Sequence, residues 1–416
     1  MPTVRLFDDT PYETSFTGTV VSTQPGGREG TAQIVLDRTL FFPEEGGQTP
    51  DRGILGGFPV LDVQVKDNVI THTVQAPSDA FVPGAKVSGE IDWSHRFSNM
   101  QNHSGEHILS GLLHSLYGYD NVGFRLSDNT VTLDTSGQLT DEQLRDLERR
   151  ANEVVYRNVP IHCEYPSPEV LKTLDYRSKK PIDGPVRIVT IEGVDVCACC
   201  APHVQRTGEI GLIRILDVLH TKTNMRLTIV CGMRALEETQ KEQEQLLAVS
   251  HLANAPRLSC AEGVQHLLDE ILSLKEQLKT DDIRYVDTRL REIDLLEKMQ
   301  NDADVTGAST ASDNTAAKCG AGSMSARSLW VFEAPMNVLA QRNFMNQLCE
   351  RGYRFAGVFT GSDEEGWHYL IGSREDDARI PGDLLRKEFG AKGGGKPAMV
   401  QGTVHAAQAA IRAILP

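Results

Sequence analysis

Two histidines four residues apart, His103 and His107, constrain the fold of this 416-residue chain more than any other feature. Residues 101–117 repeat apolar side chains at helical spacing and so predict one apolar stripe: Ile108, Leu109, Leu112, Leu113 and Leu116. At 100° per residue the two histidines lie about 40° apart and point away from this stripe, whose centre is about 210° from His103. The small residues Ser110 and Gly111 leave room beside them. The pattern therefore predicts a helix that presents two imidazoles on the side opposite its core contact.

A second pair of potential metal ligands lies about ninety residues downstream, in the sequence Cys199-Cys200-Ala201-Pro202-His203. Two closely spaced histidines alone are more often solvated than metal-bound. One thiolate and three imidazoles, however, are a ligand set typical of zinc. We therefore expect Zn²⁺ to bind four side chains: His103, His107, Cys199 and His203.

The sequence leaves the identity of the thiol ligand open, because Cys197, Cys199 and Cys200 fall within four positions. If residues 194–199 form a strand, alternation places Cys197 and Cys199 on one face and Cys200 on the other. Cys199 is the preferred ligand. The spare thiols would then be small buried apolar groups.

Composition excludes several classes of protein. The chain has eight cysteines in 416 residues, scattered without the framework of a small disulfide scaffold, which favours a reducing compartment and a cytoplasmic location. We find no signal peptide and no apolar run of about twenty residues, so no membrane association is expected. A net charge of −15 argues against a nonspecific nucleic-acid binder. Basic residues are local: residues 386–416 carry five against one acidic residue.

Four sequence blocks, in order, resemble the editing and DHHA1 domains of alanyl-tRNA synthetase. Residues 37–48, which end in Glu44-Glu45-Gly46-Gly47-Gln48, resemble the family's glycine-rich barrel motif. Residues 103–107 and 199–211 resemble its paired zinc motifs, and Gly393-Gly394-Gly395-Lys396 resembles the DHHA1 tail. Because the chain begins at the barrel motif, we expect no aminoacylation domain. The chain resembles a free-standing alanyl-tRNA editing protein of the long AlaX type.

The resemblance and the hydrophobic patterns together predict an α+β multidomain protein. Short β-rich runs between Gly, Pro and Asp turns indicate a small barrel. Thr140 to Gln143 forms a capping-box pattern, which marks the start of a helix. Glu, Gln, Lys, Arg and Leu dominate after residue 233, as in long polar helices. Five segments are expected: a glycine-rich-motif β-barrel (1–90), a zinc-binding α+β editing core (91–232), a helical hairpin or coiled coil (233–300), a flexible connector (301–327), and an α/β DHHA1-like domain for tRNA binding and dimerisation (328–416).

The resemblance implies a zinc-dependent hydrolase that deacylates mischarged tRNA(Ala). A synthetase pocket shaped for alanine cannot strongly reject near-isosteric serine or smaller glycine, so a second hydrolytic site is needed. We expect Ser-tRNA(Ala) as the first substrate and Gly-tRNA(Ala) as the second. Glu106 stands where related synthetases often have Thr, at a position that faces the aminoacyl group. It is a candidate general base or amine ligand, against the alternative of a solvated or supporting carboxylate.

Four protein ligands describe a closed zinc site, whereas catalytic zinc normally keeps an open position. Either a water joins or displaces a ligand, or zinc orients the ester while a separately held water attacks.

Two other classes of protein also fit parts of the sequence. One is a non-catalytic, zinc-stabilised RNA-binding module, and the other is a metallopeptidase with the H-x-x-E-H pattern, which Cys199 and His203 disfavour.

The glycine triplet Gly393-Gly394-Gly395 and Lys396 precede a predicted helix over 404–414. Backbone N–H groups and a lysine at that point could bind phosphate. With the resemblance, contact with the tRNA backbone is the preferred interpretation, and close packing of the loop on a sheet is the alternative. The chain is expected to form a homodimer through its helical or C-terminal region.

Overall fold

A computed structural model describes residues 2–128, 130–178, 184–306 and 327–416. The chain forms two compact units, Met1–Leu247 and Ala248–Pro416. Among the described residues, no helix is long and apolar enough to cross a membrane.

The first unit begins with a closed barrel. Its elements in chain order are β1 (Val4–Arg5), α1 (Leu6–Asp9), β2 (Ser15–Pro25), β3 (Ala32–Leu36), β4 (Arg38–Thr39), β5 (Gly53–Leu55), β6 (Phe58–Lys66), β7 (Val69–Val74) and β8 (Lys86–Ile91). The barrel strands pair in the order β2-β3-β7-β6-β5-β8. Asp67 and Asn68 have positive φ in the two-residue turn between β6 and β7, as a tight hairpin requires. Alternate residues of β7 point inward, so Ile70, His72 and Val74 are buried.

The rest of the first unit surrounds one long helix, α2 (Trp93–Tyr117). Asp92 caps it by accepting a hydrogen bond from the His95 N–H, and Gly118 ends it in the left-handed conformation. The helix starts eight residues before the predicted 101–117. It contributes Ile108, Leu109 and Leu113 to the core, whereas Leu116 at the end of the predicted stripe is exposed.

Two further sheets and several helices complete this unit. They are β9 (Asn121–Leu126), β10 (Val131–Thr135), α3 (Asp141–Arg157), β11 (Ile161–Glu164), α4 (Pro168–Leu171), β12 (Ile188–Ile191), β13 (Asp195–Ala198), β14 (Ile213–His220), β15 (Met225–Cys231) and α5 (Met233–Leu252). The strand orders are β14-β15-β10-β9 and β11-β12-β13. The capping box predicted at Thr140 is confirmed, since Thr140 and Gln143 bond reciprocally. The division between the units falls within α5.

The second unit joins a long helix to a five-stranded sheet. Its elements are α6 (Cys260–Thr306), β16 (Leu329–Glu333), α7 (Val338–Glu350), β17 (Ala356–Ser362), β18 (Gly366–Gly372), α8 (Arg379–Phe389), β19 (Lys392–Lys396), β20 (Met399–Val404) and α9 (Gln408–Ile414). The strand order is β16-β17-β18-β20-β19. Helix α6 continues through residues 301–306 of the expected connector, and residues 307–326 of that connector lie outside the described residues.

The predicted helix over 404–414 is wrong in its first half. Gly393, Gly394 and Gly395 lie in the exposed edge strand β19, which pairs with β20, and only Gln408–Ile414 is helical. The glycines allow this pairing because a Cβ on Gly393 or Gly395 would clash with the carbonyls of β20. The triplet is therefore a strand and not the entrance of a helix.

Candidate metal centre

Helix α2 places His103 and His107 one turn apart, beside the segment that follows β13. Cys199 and His203 lie in that segment, and one ligand atom from each of the four residues lies within 4.8 Å of all the others. The three imidazoles are only 2–3 % exposed, and Cys199 is partly buried. Residues almost a hundred positions apart in the chain therefore meet at one point.

Each imidazole has its Nδ1 atom held by a neighbouring side chain. The Nδ1 atoms lie 2.8–3.0 Å from Gln48 Oε1 for His103, from Asp195 Oδ2 for His107 and from Ser104 Oγ for His203. This leaves the Nε2 atoms to face Cys199. Metal-binding histidines in proteins commonly use one nitrogen for the metal and the other for such a bond.

The distances within the group fit a tetrahedral zinc site. Cys199 Sγ lies 3.5 Å from His103 Nε2 and 3.4 Å from His203 Nε2. Zinc with Zn–N of about 2.1 Å and Zn–S of about 2.3 Å places sulfur and nitrogen about 3.6 Å apart in a tetrahedron. The four donors need no large movement to hold such an ion.

Electrostatics favour metal binding at Cys199 and His203 and oppose it at His107. Burial alone would raise the pKa of the Cys199 thiol, but the charge of His103 and hydrogen bonds from His103 and His107 hold that pKa well below its usual range. Burial lowers the pKa of His203 to about 3, so its ring is neutral. Burial would also lower the pKa of His107, but its bond to Asp195 raises it well above the ordinary value. Metal binding would therefore release a proton from His107.

Asp195 connects His107 to a partly buried arginine, Arg177. Arg177 donates to both carboxylate oxygens of Asp195, from Nε at 2.8 Å and from a terminal nitrogen at 2.9 Å. Burial alone would raise the pKa of Asp195, but its bonds to His107 and Arg177 lower it. A charged carboxylate thus fixes the ring orientation of His107.

The other two cysteines of the motif, Cys197 and Cys200, lie outside the four-residue group. Cys197 belongs to a second buried group with His107 and Asp195, and its thiol donates to the Ala198 carbonyl at 3.7 Å. Burial raises the pKa of both Cys197 and Cys200. Cys200 packs against the barrel core instead of joining the ligand atoms. Among the three thiols, only Cys199 belongs to the four-residue group.

The glycine-rich motif contacts His103 through Gln48 and strand β9 through Gly47. Gly46 and Gly47 are exposed and have positive φ, while Gln48 is fully buried against His103. Gly47 accepts a backbone hydrogen bond from Leu126, and a Cβ on Gly47 would clash with the Phe124 carbonyl. Glycine at this position therefore lets the loop approach β9 closely enough for Gln48 to reach the metal centre.

Glu106 is buried beside the metal centre and is not solvated. Ser110, one turn later on α2, and Asn121 on β9 both donate to its Oε1 atom. Asn121 also donates to the Ser110 hydroxyl at 3.3 Å. This arrangement fixes the orientation of the carboxylate.

Comparison with known proteins identifies the family. The chain is 33 % identical over 282 residues to alanyl-tRNA editing protein Aarsd1-A of Xenopus laevis, a match that covers 64 % of this chain and 67 % of that protein. The chain belongs to the alanyl-tRNA editing protein family. It is also 31 % identical over 241 residues to AlaX-L of Pyrococcus horikoshii, covering 59 % of that relative, and 33 % identical over 259 residues to the alanine–tRNA ligase of Pyrococcus abyssi, covering 28 % of it.

Two family models match parts of the chain. Residues 186–242 match the model for the second additional domain of threonyl and alanyl tRNA synthetases, which here contains Cys199 and His203. Residues 16–95 match the model for class II (A) tRNA synthetases, and this range contains the barrel strands and the glycine-rich motif. The two family models thus cover the barrel and the Cys199–His203 half of the group, whereas His103 and His107 lie outside both matched ranges.

Sequence reasoning missed several residues of the centre. Asp195, Arg177 and Asn121 hold His107 or Glu106 in place, yet none belongs to a recognisable motif. Ser104 lies within the 103–107 motif, but nothing in the sequence predicted the hydrogen bond between its hydroxyl and His203. Gly111 was expected to leave room for the histidines, and instead it lets α2 approach the Val194 carbonyl, next to Asp195.

Proposed function

We propose that this protein is a zinc-dependent trans-editing hydrolase that deacylates mischarged tRNA(Ala) in the cytoplasm, with Ser-tRNA(Ala) as its first substrate and Gly-tRNA(Ala) as its second. The observation that carries the proposal is the convergence of three imidazoles and one thiol in a member of the alanyl-tRNA editing family. The proposed zinc ligands are His103, His107, Cys199 and His203.

Zinc in this site would supply a Lewis acid that polarises the ester carbonyl or lowers the pKa of a water molecule. The chain itself supplies the orientation of the ligands through Gln48, Asp195 and Ser104. Because the three imidazoles are almost fully buried, the surrounding side chains also limit the entry of bulk water.

Glu106 is the proposed catalytic residue. Its Oε1 atom accepts from Ser110 and Asn121, so the carboxylate has a fixed direction and stays close to the ligands on the same helix. A positioned carboxylate can take a proton from the attacking water and return it to the leaving ribose oxygen. Recognition of the substrate amine is the alternative role for the same group.

The second unit is the proposed tRNA-binding part, with a DHHA1-like sheet. Lys392 and Lys396 flank the three glycines of the exposed edge strand β19. Phosphate contacts from such residues position a nucleic acid without reading its sequence. We also propose a homodimer formed through the helical or C-terminal region.

A deacylation panel tests the proposed function. Purified protein, with its zinc content measured by mass spectrometry, is incubated with Ser-, Gly- and Ala-tRNA(Ala), with and without a chelator. We expect about one zinc per chain and zinc-dependent release of serine in preference to alanine. tRNA binding without deacylation would favour the non-catalytic RNA-binding module, and zinc-dependent peptide cleavage would favour the metallopeptidase.

Substitution of Glu106 tests its role. Glu106→Gln keeps an oxygen that accepts from Ser110 and Asn121, so we expect folding and zinc binding to persist while deacylation slows about 10²–10⁴-fold. If Glu106 instead recognises the amine, KM and the preference for Ser over Ala should change more than kcat, and Glu106→Thr should retain activity with altered selectivity. The exposed Glu142→Gln on α3 is the matched control. A Glu106→Gln protein with unaltered rate and selectivity would remove this residue from the mechanism.

A further inference from the structure

A row of aromatic rings lies on one face of the sheet in the second unit. Its members are Trp330 and Phe332 on β16, Phe355 just before β17, Phe359 on β17, and Trp367 and Tyr369 on β18. The last four rings are at most 7 % exposed, whereas the two on the edge strand β16 are only partly buried. The row therefore ends in two aromatic rings that a partner can reach.

Trp330 is fixed against the backbone of the neighbouring strand. A Cβ on Gly357 would lie only 2.4 Å from Cε3 and 2.6 Å from Cζ3 of the indole, so glycine at this position lets the ring lie close to β17. The ring of Phe355 is nearly parallel to the indole, with an interplanar angle of 19°, and Phe359 meets it at 66°. A planar ligand would therefore meet an indole that is already oriented.

Phe332, two residues later on the same strand, lies beneath an arginine. Its ring stacks on Phe359 with centroids 4.5 Å apart, and the guanidinium carbon of Arg412 on α9 lies 4.6 Å from the Phe332 centroid. Arg412 is exposed, and it forms no ion pair within the part of the chain that the structure describes. Its charge is therefore available to an anion next to the aromatic rings.

A second arginine lies on the other side of Trp330. The guanidinium carbon of Arg354 is 5.1 Å from the centroid of Phe355, and its Nε donates to Asp376 at 2.7 Å. We call Trp330, Phe332, Arg354 and Arg412 the β16 platform. Exposed aromatic rings beside guanidinium groups are typical of surfaces that stack unpaired nucleic-acid bases and contact the neighbouring phosphates.

We propose that the β16 platform binds an unpaired base of RNA, which stacks on Trp330 while Arg412 contacts an adjacent phosphate. An apolar peptide would gain from the rings but would leave the guanidinium groups without a counter-charge, so the charges favour a polyanion. The proposal rests on the proposed function in taking tRNA as the natural RNA. It adds a contact with a base to the phosphate contacts of β19.

The platform and the lysines of β19 are separate surfaces of one sheet. The strand order places β16 and β19 at opposite edges, four strand spacings or about 19 Å apart. Their contributions to affinity also differ in kind. Lysine contacts with phosphate release counterions and weaken with salt, whereas stacking of a base on a ring releases none.

Substitution of Trp330 in the full chain tests the stacking. Trp330→Leu keeps an apolar side chain but removes the flat ring, and should weaken tRNA binding about tenfold at every salt concentration without changing the salt slope. Trp330→Phe keeps a ring and should retain most of the affinity. Filter binding over a salt series measures both quantities. Tyr156→Leu is the matched control, because it removes an aromatic ring that is 85 % exposed on α3 of the first unit.

Arg412 provides a second test that leaves the sheet intact. Arg412→Gln should weaken tRNA binding and reduce the salt slope by about 0.9, as loss of one phosphate contact requires. Because Arg412 is exposed, this variant should fold even if a substitution of Trp330 disturbs the sheet.

Tryptophan fluorescence tests the base contact directly. A short single-stranded oligoadenylate should quench the emission of the wild type, and the quench should be absent in Trp330→Leu, which retains Trp93 and Trp367. Wild-type tRNA affinity in both Trp330→Leu and Arg412→Gln would overturn the proposal, and so would equal quenching in the wild type and Trp330→Leu. Trp330-dependent binding of RNA by a protein that deacylates no tRNA would refute the hydrolase and keep the platform. Deacylation with unaltered tRNA affinity in these variants would do the reverse.

Discussion

Which nitrogen each histidine presents to the metal is decided by side chains outside the ligand set. Asp195 is the most consequential of them because it is charged, buried and fixed by Arg177 on its other side. A carboxylate that accepts from Nδ1–H keeps Nε2 of His107 available as the ligand and increases its basicity. The geometry of the centre therefore depends on an ion pair that contains no metal ligand.

We predict that Asp195→Asn lowers zinc affinity about 10–100-fold, because a neutral amide accepts more weakly from His107 and leaves Arg177 without its counter-charge. Competition with a chromophoric chelator measures this without reference to activity. The matched control is Asp120→Asn, since Asp120 bonds His114 at the exposed end of α2, away from the metal centre. Equal zinc affinity in the wild type and Asp195→Asn would contradict the role of Asp195.

The four proposed ligands could be predicted from the sequence because helical spacing brings His103 near His107, and a short motif holds Cys199 near His203. Their supporting residues could not. Asp195 lies 88 residues from His107 in the chain, and only the packing of β13 against α2 brings them together. The role of Asn121 could not be predicted for the same reason, because its side chain reaches Glu106 only after β9 has paired in its sheet.

Among the elements, strands and helices with strong patterns were the most predictable. Short β-rich runs indicated a small barrel over residues 1–90, and strands β2, β3 and β5 to β8 of the closed barrel span residues 15–91. The start of α2 was missed although Trp93, Phe97 and Met100 follow helical spacing and Asp92 provides a cap. The C-terminal glycines were expected in a phosphate-binding loop before a helix. In β19 they allow close pairing with β20, which sequence composition does not reveal.

The barrel contains a titratable group that ties its stability to pH. His72 on β7 is fully buried, with Nδ1 3.1 Å from the Ile34 carbonyl and Nε2 2.9 Å from the Thr39 hydroxyl. Burial lowers its pKa to about 4 from an ordinary 6.5. The folded barrel thus disfavours the protonated ring, so this contribution to stability is complete above pH 6.5 and is lost as the pH falls from 6.5 to 4.

We predict that the barrel loses about 2 kcal/mol of unfolding free energy through His72 between pH 7 and pH 5. His72→Gln can bond both neighbours without titrating, so the variant should lose that much less over the same interval. Amide hydrogen exchange of the barrel strands at the two pH values measures the difference locally. His220→Gln, at an exposed position, controls for histidine titration in general. A variant with the same acid sensitivity as the wild type would show that His72 does not govern it.

At the scale of the whole molecule, the two units carry different parts of the proposed reaction. The first contains the metal centre, and the second contains the exposed lysines of β19. The net charge of −15 repels nucleic acid overall, so the proposed affinity for tRNA depends on local groups of basic residues. Affinity for tRNA and the rate of hydrolysis should therefore respond to different substitutions.

We predict that Lys392→Ala combined with Lys396→Ala weakens tRNA binding about tenfold at physiological salt and leaves kcat at saturating tRNA within about twofold. Four residues apart in a strand, the two side chains point to the same side of the sheet edge and can contact neighbouring phosphates. Loss of two phosphate contacts should also reduce the slope of log affinity against log salt concentration by about 1.5. Filter binding over a salt series and single-turnover deacylation measure the two quantities separately.

The control pair Lys66→Ala with Lys241→Ala removes the same charge from exposed positions of the first unit. An unchanged salt slope in the β19 variant would exclude this strand from the tRNA contact, whereas a large loss of kcat at saturating tRNA would mean that the strand positions the ester as well as the tRNA backbone.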